Sequence, residues 1–230
     1  MSEREGRDMG TKKLSERQVQ IVDAALRIIA TKGSRRFTAD LLAKEVGLTG
    51  GALYRHFASM DDVVDAVVDR VGEVLFEGLP PGSDDPLVRL RLFFYRRART
   101  ILANPHISRL LLSDHLAQAG GVVQSKRLGE FKRKSHAFVS ECLTEAREHG
   151  LLADGMSPQA GTIVVLGSVL ALSHAAPRLV DVGETDHLCN EVWLGIERML
   201  RRPEGVAKPI ARAARSPRRN ARFTCKGRPA

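Results

Sequence analysis

The chain has 230 residues, with 36 Lys and Arg against 27 Asp and Glu and a formal net charge of +9. It is long enough to bury a core without staples, and its three cysteines, Cys142, Cys189 and Cys225, lack the C-x-x-C spacing of a zinc or redox motif and argue against a disulfide framework. The charge is uneven: residues 201–230 hold ten basic residues and one acid, residues 1–60 are net basic and residues 61–200 net acidic, a polarity that suits a polyanion partner at one end.

Residues 1–14 are polar, carry no apolar core of the kind a secretion signal needs, and are expected to form a disordered arm. Ser15 to Gln18 reads as a capping box. Behind it Ile21, Val22, Ala25, Leu26, Ile28 and Ile29 recur at helical spacing, and Gly33 ends that helix. Arg35 and Arg36 follow, placed either for phosphate contact or as solvated loop charges. Thr38 is an N-cap for a second helix carrying Leu41, Leu42, Ala43 and Lys44, and Gly47 supplies the positive φ that closes it. Thr49 caps a third helix whose Leu53 and Phe57, four apart, form the buried stripe. Thr49, Gly50, Gly51, Tyr54, Arg55 and His56 are left facing outward. Two short helices around a tight turn, with the second presenting a polar face, form a helix-turn-helix pattern.

Ser59 starts a fourth helix, rich in valine, that runs to about Glu77. Asp85-Pro86, Asn104-Pro105 and Ser157-Pro158 each pair a capping side chain with proline at the first helical position. They place helices at about 86–103, 105–118 and 158–175. A further helix fills about 122–149 and a last one about 185–201. Ala160 to Ala176 is apolar, but it is interrupted by Ser168, Ser173 and His174 and is shorter than the roughly 20 residues of a membrane span. No segment alternates like a strand, so the chain reads as all-α with about nine helices. Residues 202–230 carry many arginines and few large apolar groups, which predicts a disordered basic tail.

The run Leu-Ala-x-x-Val-Gly-Leu-Thr-x-Gly-Ala-Leu-Tyr-x-His-Phe, preceded by Thr38 and ending at Phe57, resembles the signature of the TetR/AcrR family of bacterial transcriptional regulators. The resemblance extends from about Ser15 to Val71. It implies a helix-turn-helix DNA-binding domain at 15–75 and a larger helical ligand-binding and dimerisation domain at 76–201. By the same resemblance Thr38 and Thr49 cap helices and touch phosphate, Tyr54 and His56 clamp the DNA backbone, and Ala52 meets a base methyl group. Arg36, by its position just before Thr38, and Lys44 are further DNA-binding candidates, Gly50 and Gly51 let the backbone approach DNA closely, and Arg55 either reads guanine or pairs with an acid. Two positions depart from the family pattern: many members carry Lys where this chain has Gly50 and where it has Met60.

Phe93, Phe94, Leu111, Asp114, His115, Gln118, Phe131 and Phe138 are candidates for a small-molecule pocket. Gly161, Gly167, Ser168 and Ala171, with Val192, Trp193, Ile196 and Met199, are candidates for a dimer interface between the last two helices of each protomer. No phosphate-binding glycine loop, zinc-protease motif or nucleophile elbow is present, the histidines are dispersed, and neither catalytic nor metal-ligating residues nor a cofactor is expected. The expectation is a cytoplasmic, nucleoid-associated homodimer that binds a palindromic operator on double-stranded DNA, represses transcription and answers to a small molecule. The alternative is a DNA-bound regulator of a partner protein, as in the cell-division inhibitors of the same family.

Overall fold

The computed structural model describes residues 14–113, 115–179 and 184–202. The expected arm before residue 14, the basic tail from residue 203, Cys225 and the pocket candidate Asp114 lie outside the described residues. Nine α-helices are described: α1 (Glu16–Lys32), α2 (Ala39–Glu45), α3 (Gly50–Leu53), α4 (Met60–Phe76), α5 (Pro86–Ala103), α6 (Pro105–Leu112), α7 (His115–Glu148), α8 (Pro158–Leu179) and α9 (Thr185–Leu200). A single 3-10 turn, Ser34–Arg36, joins α1 to α2. Among the described residues there is no strand, only an isolated antiparallel bridge between Leu152 and Arg201. The fold is all-α.

Two apolar cores organise the chain. The first gathers Ile21, Ile28 and Ile29 of α1, Leu42 of α2, Leu53 and Phe57 around α3, and Val63, Val67 and Val71 of α4. Ile107 and Leu110 of α6 and Leu116 and Leu128 of α7 join it. The second core packs Phe93 and Phe94 of α5, Leu143 of α7, Val165 and Val169 of α8, and Trp193 and Ile196 of α9. Helix α7 belongs to both, so it ties the N-terminal helices to the rest.

The caps explain most boundaries. Ser15 and Gln18 close a full capping box on α1, and Asp85 accepts from the amides of Leu87 and Val88 at 2.7 and 3.2 Å. Ser157 accepts from Ala160 at 3.0 Å. Asn104 departs from expectation. It makes no side-chain cap for α6, and its Nδ2 donates instead to the Thr100 carbonyl of α5 at 2.8 Å.

The path after Asn104 also differs from the sequence reading. Helix α6 stops at Leu112, where Ser113 is extended at φ −108°, ψ 160°. Leu110 and Leu116 must both reach the first core, but six residues along an unbroken helix turn by roughly 240° net, onto different faces. A break between them lets both point inward. The interruption expected near residue 120 is a kink within α7, at Gly121 with φ 78° and ψ −154°.

Candidate nucleic-acid interface and ligand cavity

The helix-turn-helix is built by its caps and held by α1. Thr38 Oγ1 accepts from the Leu41 amide at 3.3 Å, and Thr49 Oγ1 from the Ala52 amide at 3.2 Å. Gly47, at φ 66°, makes the turn between them in the left-handed region that glycine enters without strain. Arg17 Nη2 of α1 donates to the Val46 carbonyl at the end of α2, at 2.7 Å, and Gln18 Nε2 donates to the His56 carbonyl beyond α3, at 3.0 Å. One turn of α1 thus fastens the ends of both reading helices.

Helix α3 is a single α turn, and residues Tyr54 to His56 continue it as turns, with Phe57 N–H still bonding to the Leu53 carbonyl at 3.2 Å. So short a helix has little macrodipole. Anion contact expected from a helix N-terminus here falls to individual N–H groups and side chains. Leu53 and Phe57 are buried as the spacing required. Tyr54 is 49% exposed, and Thr49, Gly51 and Arg55 are exposed beside it. Gly50, Ala52 and His56 are half-buried, and Arg36, Thr38 and Lys44 are exposed on the flanking segments. Arg55 makes no ion pair among the described residues, which leaves its guanidinium available. A Cβ added at Gly50 or Gly51 would meet nothing within 4 Å, so protein packing does not require glycine at either position.

The pocket candidates divide. Phe93 and Phe138, with ring centroids 5.2 Å apart, line a cavity of about 350 Å³ together with Phe76, Leu79, Pro80, Lys134 and Ser135. Leu111 and Phe131 line a neighbouring cavity of about 350 Å³ with Leu75, Arg97, Ile101, Lys132, Ser135, Leu166, Val169 and Leu170. Ser135 borders both. Three candidates are corrected. Phe94 is sealed in the second core with its ring 5.4 Å from Trp193. The His115 imidazole lies against Gly33, and Gln118 accepts a hydrogen bond from Ser34 at 3.3 Å. His115 and Gln118 begin α7 and were swung toward the 3-10 turn by the break at Ser113.

The sequence reading missed Arg97. It occupies the inward stripe of α5, four residues after Phe93 and four before Ile101, and is only 5% exposed. That placement was available from helical spacing alone, since the apolar rhythm of α5 runs through an arginine.

The interface candidates are corrected in part. Gly161 faces inward, where an added Cβ would come within 3.0 Å of Leu143 and 3.1 Å of Leu200. Trp193 and Ile196 are buried in the protomer's own core, and Ser168 and Val192 are half-buried. The outward stripe keeps three of the candidates, Gly167, Ala171 and Met199, and adds Ile163, Leu170 and His174 on α8 and Leu194 and Gly195 on α9. Ile163 is 73% exposed and Leu170 44%.

Residues 21–67 match the family described as bacterial regulatory proteins, tetR family. The chain is 26% identical over 172 residues to a nucleoid occlusion factor SlmA from Alteromonas mediterranea, a match covering 63% of this chain and 88% of that one. It is 27% identical over 112 residues to the same factor from Haemophilus ducreyi, covering 47% of this chain; there it spans only about half, 55%, of the relative's length. Among solved structures, AibR in complex with isovaleryl coenzyme A and operator DNA superposes with a TM-score of 0.65 at 20% identity, over 82% of this chain and 100% of that one.

Proposed function

We propose that the chain, whose residues 21–67 match the tetR family of bacterial regulatory proteins, is a DNA-binding regulator that works as a homodimer, binds a palindromic operator and represses transcription until a small molecule enters its cavity. The observation that carries the DNA-binding part is the free face of α3, where Tyr54, Arg55 and the bare backbone of Gly50 and Gly51 stand outside the core that Leu53 and Phe57 anchor. The exposed apolar stripe of α8 and α9 supports dimerisation, since large apolar groups exposed side by side favour a partner. Two such reading heads, related by a two-fold axis, would address half-sites about one helical turn apart. Leu75 of α4 and Leu170 of that stripe both line the second cavity, so an occupant that favours one arrangement of the two heads would change operator affinity.

On this reading the protein is a cytoplasmic regulator and not an enzyme. No helix among the described residues is long and apolar enough to cross a membrane. The solved structure of AibR with a thioester and operator DNA supports the pairing of the two sites. A duplex selected from random sequence provides the test. Tyr54→Ala should weaken binding to it by about 1–3 kcal/mol with an unchanged circular dichroism spectrum. Undiminished affinity in that variant would show that α3 does not enter the groove.

A second reading is carried by the SlmA relatives: a nucleoid-bound factor that controls a partner protein. Genome-wide mapping of bound DNA separates the two, because one or two sites fit a local repressor and dozens fit a nucleoid factor.

A further inference from the structure

We propose that the cavity beside Arg97 binds an apolar chain ending in a free carboxylate, and that the Arg97 guanidinium receives the head group. This rests on the effector reading above and names the chemistry of that site. Arg97 is buried without an acid: its Nη2 donates to Ser135 Oγ at 3.1 Å, and its Nε is buried with no acceptor. Its Cζ lies 5.1 Å from the Phe76 ring centroid and 5.3 Å from that of Phe93. Those aromatic neighbours attract the cation but offer its N–H groups no in-plane acceptor. Other part-buried arginines are treated differently. Arg89 pairs with Glu145, and Arg127 with Asp69 and Asp65, whereas Arg97 has no carboxylate within ion-pair distance among the described residues.

Burial holds the Arg97 pKa down to about 10, still well above neutral pH, so the side chain stays charged. A buried cation without a counter-charge is costly to maintain, and among the described residues only the Ser135 hydroxyl and the Phe76 and Phe93 rings offset that cost. The cavity it borders has walls from Leu75, Ile101, Phe131, Leu166 and Val169, and its other polar contributors are Ser135 and Lys132. No acid lines it, and Lys134 is the one charged group on the neighbouring cavity. Apolar walls with cations alone among their charged groups select an apolar chain with an anionic end. The guanidinium matches the planar carboxylate in a paired hydrogen-bond geometry.

Calorimetry on the full chain without DNA tests this with four probes of equal chain length: decanoate, decanol, decylamine and decanoyl coenzyme A. Decanoate should bind about tenfold or more tighter than the alcohol or the amine, as a charge-assisted contact requires. Arg97→Met keeps an unbranched apolar stem and removes the charge, and should bring acid and alcohol to equal affinity. Ser135→Ala, which removes the hydroxyl holding Nη2, should weaken decanoate several-fold and serves if Arg97→Met does not fold. Equal binding of acid and alcohol by the parent protein overturns the proposal. So does an acid preference that survives both substitutions, or binding of the thioester without the free acid. Operator binding measured in parallel separates the two readings. Intact operator binding with no decanoate binding removes the Arg97 site alone, while tight decanoate binding that leaves operator affinity unchanged removes the effector role alone.

Discussion

Gly50 and Gly51 stand at the start of α3 with open space where their side chains would be. Glycine in a helix costs roughly 0.5–1 kcal/mol relative to alanine, and internal packing does not call for it here. The protein itself leaves room for a side chain at either position. Gly50→Lys should therefore fold normally and add a phosphate contact, steepening the slope of log affinity against log salt by about 0.9. Salt titrations on operator and scrambled duplexes read the change, and an unaltered slope would mean that position 50 faces no phosphate. Arg97 makes the opposite kind of prediction. Its uncompensated charge weakens the ligand-free protein, so Arg97→Met should raise the melting temperature, stabilising by on the order of 1 kcal/mol or more. A lower melting temperature would show that the guanidinium contributes more through Phe76 and Phe93 than burial costs.

At the scale of elements, the caps were legible because their chemistry is local. Ser15, Thr38, Thr49, Ser59, Asp85 and Ser157 all cap the helices their positions implied. Asn104 was misread because its amide can serve either neighbouring helix, and the Thr100 carbonyl is the acceptor it reaches. The faces of α8 were not legible, since that helix is apolar nearly all round. Only packing shows that Gly161 meets Leu143 while Ile163 and Leu170 face out. The outward register makes Ile163→Glu the sharper test of the interface. The protomer should fold as before, because the site is exposed, and light scattering should report monomer. A persistent dimer would move the interface off α8. Gly121 gives a second test, this time of the kink in α7. Its φ of 78° with ψ −154° lies in a region essentially reserved for glycine, where a side chain meets backbone strain on the order of 1–3 kcal/mol, and Gly121→Ala should lose about that much in denaturant unfolding.

At the scale of the whole molecule, the charge division read from sequence is a prediction about DNA. The eight basic residues of 203–230 should add affinity without sequence preference. Removing residues 203–230 should flatten the salt slope by several units, at about 0.9 per phosphate contact, and lower operator and random-duplex affinity by similar factors. A collapse of their ratio would show instead that the tail reads bases. The class of fold and the reading head were legible because a helix-turn-helix is a local pattern of caps, glycine and apolar spacing. The cavity was not, because Phe93, Arg97, Phe131 and Ser135 meet only once α5 and α7 lie side by side.

Helix α7 lies against Gly33 at His115, bends at Gly121 and borders the cavity at Phe131 and Ser135. Mechanically it is a crank with unequal arms. From the bend to His115 is roughly 9 Å and from the bend to Phe131 roughly 15 Å, at 1.5 Å rise per residue. A push on the long arm reaches the short one reduced in travel to roughly six-tenths and increased in force by the inverse factor. On the proposed reading, such a linkage would turn a displacement at the cavity into a shorter, stronger movement where His115 meets Gly33.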